Sequence, residues 1–370
     1  MVTSPQYGFD PSTGALASGG AYGQTIQAMT NIQAIFEVAG YALNSTATSC
    51  VLYLEDLDNN FNDASDAYKT FFPYNPHPSR TPLGMLAHYE KVDKNAIVAV
   101  RCEGYPYDRR RVAPPNFFTD DFNSQGILAG GRVLYTAAQV GADPVTGNMV
   151  SGGAGPETTQ AMQNLQVVFA NAFPSLGNNS LSERACDCQV LISPPRSNWM
   201  AVKKALIPFF NESPSFNMFG GNAGFGAAVE IACTGTAPGM NASIITGDGV
   251  QSRATQGILV EDPDTDTNLL YGASLIGDSG NNIVTQTQYA LFQNEVLFGK
   301  AFPIYMTSDA LQQTAAFCTL TVQNPDDASA AMAVLQSYFD FAPMYPTIAV
   351  VAGSDLPDEA TVALQCSGVY

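Results

Sequence analysis

Few residues in this chain have the chemistry of a catalytic or metal-binding group, and they are thinly spread. Only two histidines, His77 and His88, occur in 370 residues, too few for a histidine-rich metal centre or a Ser-His-Asp arrangement. Arg80 stands three residues after His77 in HPSR, a short proline-rich segment in which no helix requires an arginine. A surface cation among 33 acidic residues is the plain alternative, as is a loop role for His77. The acidic stretch 261–268, EDPDTDTN, lacks the Gly and terminal Glu of an EF-hand loop and reads as an exposed turn. SGGA before a helix has no following Lys and fits neither nucleotide-binding glycine pattern. No cofactor and no metal are expected.

Seven cysteines are too few for a disulfide scaffold in a chain of this length. Six recur as Cys50/Cys102, Cys188/Cys233 and Cys318/Cys366. One bridge per pair and small buried core residues are the two readings, and the core reading is preferred. Cys186 would then be the odd thiol, and CDC at 186–188 is a faint metal signal.

A net charge of −18 and a pI near 4.2 argue against nucleic acid, which needs a basic patch to displace counterions. The one basic cluster, 109–111, reads as a solvated run in a linker. No apolar run reaches about 18 residues, so no membrane span is expected. The start, MVTSPQYGFDP, has neither the basic nor the apolar part of a signal peptide. The compartment stays open, with cytoplasmic or organellar preferred and secretion not excluded.

The elements that would position these groups come from a repeat. Residues 10–36, DPSTGALASGGAYGQTIQAMTNIQAIF, return at 143–169 as DPVTGNMVSGGAGPETTQAMQNLQVVF, at a constant offset of 133 over 27 positions. A third copy is eroded: TQGIL at 255–259 answers SQGIL at 124–128, YALFQNEVLF answers QAMQNLQVVF, and the turn shrinks to GDSG. A cysteine marks the middle strand of each copy, and another, followed by x-Gly, marks the closing strand. The expected units are 1–105, 122–236 and 252–370, with linkers at 106–121 and 237–251. Each reads β-β-α-β-α-β. The first unit has no counterpart of the SQGIL strand, leaving a sheet edge through which chains could self-assemble.

NIQAIFEVAG, LYLEDLDNNF, AYKTFF and HPSRTPLG, in that order, resemble the RidA/YjgF family. The resemblance is specific in the first unit, good in the second and weak in the third. It implies a chorismate-mutase-like α+β fold, with helices outside and a cleft at each subunit interface of a trimer. Three fused units would make an intramolecular pseudo-trimer. Active members hydrolyse enamines and imines of small amino-acid origin to ammonia and a 2-oxo acid. The resemblance assigns the carboxylate clamp to Arg80, with Phe216 and Tyr345 in its place in the other units. The strand serine is Ser4, replaced by Ala137 and Ala273. The second-helix position reads Ser65, Lys203 and Met332. The closing-strand glutamate position reads Arg101, Ala232 and Gln365. Arg80, Ser4, Ser65, Arg101 and His77 are therefore the candidate substrate-binding residues, Arg80 and Ser4 the catalytic ones. The expectation is a degenerate, non-catalytic binding or structural module. The alternative is a deaminase with one surviving cleft around Arg80, acting on a small 2-imino or enamine acid. RNA cleavage, attached to some members, is disfavoured by charge.

Overall fold

The computed structural model describes residues 1–85, 95–117, 124–246, 256–265, 267–277, 282–305, 309–352, 356 and 360–370. His88 and the eroded turn at 278–280 lie outside the described residues.

The first unit runs β1 (Gln6–Tyr7), α1 (Gly20–Val38), α2 (Leu43–Thr46), β2 (Ala47–Leu54), α3 (Leu57–Lys69), β3 (Ser79–Leu83) and β4 (Val98–Gly104). The second adds β5 (Arg109–Val112), β6 (Gly126–Ala129), β7 (Val133–Thr136), β8 (Gln139–Val140), α4 (Ala154–Ala172), α5 (Ser180–Arg184), β9 (Ala185–Ile192), α6 (Pro195–Leu206), β10 (Ser215–Gly220) and β11 (Val229–Thr236). The third comprises β12 (Asn241–Ile245), β13 (Gly257–Asp262), β14 (Thr267–Gly272), β15 (Leu275–Ile276), α7 (Ile283–Ala301), α8 (Ala310–Thr314), β16 (Ala315–Val322), α9 (Ala328–Phe339), β17 (Thr347–Ala352) and β18 (Val362–Val369).

Three separate sheets result. Their strand orders are β1-β4-β2-β3, then β10-β9-β11-β7-β6-β5, then β12-β13-β14-β18-β16-β17, with β8 and β15 pairing on β11 and β18. Each sheet has one parallel pair, β2 with β3, β9 with β10 and β16 with β17, joined by α3, α6 or α9 as crossover helix. One face of each sheet buries its own helices. On the opposite face Val51, Tyr53 and Leu83, Leu191 and Phe219, and Val351 form one apolar cluster drawn from all three units. The fold is α+β, three RidA-like units around a shared centre.

The duplicated motif is scaffold. Its asparagine donates Nδ2 to the carbonyls of Tyr7 and Phe9 (3.2 and 2.9 Å) as Asn31, and to Val140 and Ala142 (3.4 and 2.9 Å) as Asn164. Gln293 does the same to Ile276 at 2.8 Å. Each long helix is thereby tied to the strand before it. The x-Gly after each closing-strand cysteine has an equally local cause. A Cβ at Gly104, Gly235 or Gly368 would lie 2.5, 2.4 or 2.5 Å from the ring of Phe36, Phe169 or Phe298, so strand and helix meet only over bare backbone.

Three expectations change here. The paired cysteines are bonded, Cys50–Cys102, Cys188–Cys233 and Cys318–Cys366, not free core thiols. Each pair is directly opposed across an antiparallel ladder. The carbonyl of Cys102 turns away to accept from the Thr3 amide, leaving the close, non-hydrogen-bonded kind of pair on the β2 side. Closing loops of 45 to 52 residues contributes roughly 4 kcal/mol each in the chain-entropy description. Cys186 stays a buried thiol, and burial pushes its pKa up to about 12.

The 109–111 cluster is not a solvated run. The stretches 106–121 and 237–251 carry strands β5 and β12, which extend the second and third sheets. Arg109 donates to the carbonyls of Ala47 and Asn44, and Arg110 to that of Ala172 at 2.9 Å, cations placed where α2 and α4 expose their last carbonyls. Nor is the acidic stretch at 261–268 a free turn. Asp262 is buried and, with Asp264, accepts from Arg132 of the second unit.

Candidate functional site

β3 is an outer strand of the first sheet, and its register sets Arg80 beside Cys50. Cys50 belongs to the core under the helices, so Arg80 points toward α3. That helix presents Phe61, Ser65 and Tyr68 at spacings of four and three, which is one face. Arg80 Nη1 donates to Ser65 Oγ at 2.6 Å, and the guanidinium carbon lies 5.2 Å from the Phe61 ring and 5.6 Å from that of Tyr68. Only 6% of Arg80 is exposed. The fork is therefore buried, oriented by a hydroxyl and backed by aromatic faces. Burial holds the Tyr68 phenol above its ordinary pKa, with Arg80 partly opposing.

The neighbouring wall belongs to the second unit. The His77 carbonyl accepts from Ser124 Oγ at 2.6 Å, which pins the Arg80 segment to the second unit's hairpin; β3 and β7 are in contact there. In this register Phe216 lies beside Cys188 and Ile348 beside Cys318. The third unit's clamp position is thus Ile348 and not Tyr345, which is 49% exposed beyond the strand.

Ser4 and Arg101 do not join Arg80. Ser4 adjoins β1, the opposite outer strand, with β4 and β2 between, a separation of about 14 Å at ordinary strand spacing. Its Oγ accepts from Gln6 Nε2 at 2.9 Å. Arg101 is paired with Glu103 at 3.0 Å and lies 4.3 Å over the Phe317 ring of the third unit. Its charge is committed to an inter-unit contact. Arg80 and Ser65 meet; Ser4 lies at the other edge of the sheet and Arg101 faces the third unit.

One residue was missed by sequence reasoning. Glu230 in β11 pairs with Leu191 and Val140, which pack with Val51, Tyr53 and Leu83 of the first unit. It therefore faces the first unit. Its carboxyl Oε2 is buried without a hydrogen-bond partner, and burial drives its pKa well above the carboxylate range. The signal was present in VEIACTG: Glu230 shares a strand face with Ala232 by period two. Anchoring the glutamate position next to the cysteine hid it.

The second-to-third interface is filled instead by its own polar chain. Ser274 Oγ donates to Asn217 Oδ1 at 2.7 Å, Asn217 Nδ2 to Gln365 Oε1 at 2.6 Å, Gln365 Nε2 to Asp187 Oδ1 at 3.1 Å and Ser215 Oγ to the same oxygen at 2.7 Å. Burial lifts the Asp187 pKa to about 7 against these donors. Among the described residues no group of three or more potential ligands could hold a metal, and no helix is long and apolar enough to cross a membrane.

A family profile described as Endoribonuclease L-PSP matches residues 1–98. Human 2-iminobutanoate/2-iminopropanoate deaminase is 36% identical over 104 residues, 28% of this chain and 73% of the relative. The chain belongs to the RidA/YjgF family. A RutC family protein of Pyrococcus horikoshii is 30% identical over 105 residues, 28% of this chain and 78% of its own length. Beyond the RidA-like first unit, the whole chain superimposes on a crystal structure of chorismatase with a TM-score of 0.53 at 9% identity, covering 100% of this chain and 99% of that one. At that identity the likeness concerns fold, and it embraces all three RidA-like units together.

Proposed function

We propose that the chain acts on one small 2-imino or enamine acid, releasing ammonia and a 2-oxo acid, at the interface of its first and second units. The observation that carries this is Arg80, a buried guanidinium oriented by Ser65. Such a fork binds a carboxylate through two parallel charge-assisted hydrogen bonds. Glu230, on the second unit's inward face and toward the Val51–Leu83 side of the first sheet, is the group we assign as the protonated carboxyl. Hydrolysis needs water at the imine carbon and a proton for the departing nitrogen, and a carboxyl with a raised pKa can serve that transfer near neutral pH. The deaminases resembling the first unit act on 2-iminobutanoate and 2-iminopropanoate by name, which supports the substrate class.

The second reading is a degenerate, non-catalytic module. It is favoured by Ala137 and Ala232, which stand where the resemblance puts the serine and glutamate of the unit facing Arg80. Freshly generated 2-iminopropanoate, assayed for ammonia release beside the human relative, separates the two. Release that vanishes in Arg80→Ala excludes the module. No release under conditions that run the relative excludes the deaminase, and binding of 2-oxobutanoate then tests whether Arg80 still holds a carboxylate.

A further inference from the structure

The connection between the first and second units builds a groove that a single unit could not form. Tyr105, Tyr107 and Asp108 come from that connection, Tyr41 from the turn after α1, and Arg132 from the β6–β7 turn, around a volume of about 800 Å³. The floor is Gly130 and Gly131, with φ of 57° and 69°. A Cβ on Gly130 would lie 3.3 Å from Tyr107 Cβ and 3.4 Å from Tyr105 Cε1, so the tyrosines rest directly on bare backbone. The rings of Tyr105 and Tyr107 are 4.9 Å apart, and Tyr107 and Tyr41 are 53% and 38% exposed.

The balance of charge is acidic. Arg132 is committed to Asp262 and Asp264, Arg109 to the carbonyls of Asn44 and Ala47, and Asp108 adds a further exposed carboxylate. Two cations, both already engaged, thus stand against three acids. A second concavity of about 760 Å³ continues past Tyr41, adding Glu37 and Phe71 with no Lys or Arg among its lining residues. Phenol faces carry negative quadrupole potential, and carboxylates reinforce it. A phosphate or carboxylate ligand would meet repulsion here, in a chain of net charge −18.

We propose that this groove binds an organic cation, a quaternary or protonated amine on an apolar body. The site shares no residue with the Arg80 cleft and stands or falls independently of the deaminase reading. Calorimetric titration of the full chain with choline, beside its uncharged isostere 3,3-dimethylbutan-1-ol, tests it. The expected result is saturable choline binding, with the isostere weaker by about tenfold and choline weakened about fivefold by Tyr107→Ala and by Asp108→Asn. Both side chains are exposed, and melting curves confirm that the variants fold. Equal affinity for the isostere, no saturable heat with choline, or variants that bind as tightly as the parent would each overturn the proposal.

Discussion

At the interface of the first and second units, the strand position beside the cystine carries Arg80. At the interface of the second and third it carries Phe216. The neighbouring position differs just as much: Thr81 in the first case, and in the second a fully buried Asn217 that donates to Gln365 across the interface. At the first, a buried cation is oriented by a neutral hydroxyl on the helix side of its sheet, while the buried carboxyl of Glu230 faces the Val51–Leu83 side of that sheet from the second unit. At the second, amides, hydroxyls and Asp187 satisfy one another. A hydrogen-bond network that closes on itself rigidifies an interface. A buried guanidinium or carboxyl held in place by packing is what a ligand can use. Fusion permits this divergence, because three copies in one chain can change separately whereas three identical subunits cannot.

The sharpest way to break the contrast is Arg80→Ala. Removing one member of a buried charge-assisted contact costs about 2–5 kcal/mol, so kcat/KM for 2-iminopropanoate should fall by about a thousandfold, with Arg80→Lys recovering little because the fork is lost. A loss under threefold would remove the clamp from the comparison.

Next comes the opposite interface. The folded pKa of Asp187, about 7, is raised above its ordinary value of 3.8. The folded state therefore binds the extra proton, and the contribution is fully present below pH 4 and lost as pH rises through 7. Wild type should lose on the order of 3–4 kcal/mol between pH 4 and 8 from this group, and Asp187→Asn should flatten that slope in denaturant titrations. An unchanged slope would show that the network does not hold a proton.

A smaller effect, about a hundredfold in kcat, is expected for Glu230→Gln with KM nearly unchanged. Stability at pH 8 should rise in the same variant, since folding no longer has to protonate a carboxyl that is ionised in the unfolded chain. If kcat is retained while stability rises, Glu230 belongs with the scaffold. Smallest is Ser65→Ala, which removes one hydrogen bond to a charged group, about 1.5–3 kcal/mol. Arg80 would remain over Phe61 and Tyr68, so turnover should fall by only about tenfold.

The sequence alone carried the architecture. An offset of 133 over 27 positions, with cysteines recurring in register, implies repeated α+β units because local periodicity and turn chemistry act within a few residues. It also offered Arg80 and Ser65, 15 residues apart, as candidates through the family resemblance, and the fold brings the two into contact. Tertiary structure decided what meets what. Strand order put Ser4 on the far edge from Arg80, since two strands intervene in the sheet. Register bonded the cysteines, replaced Tyr345 by Ile348 and exposed Glu230. Packing between units committed Arg101 to Phe317 and Arg132 to two aspartates. Such contacts join residues more than a hundred positions apart, and their energies depend on burial and distance, which no spacing along the chain encodes.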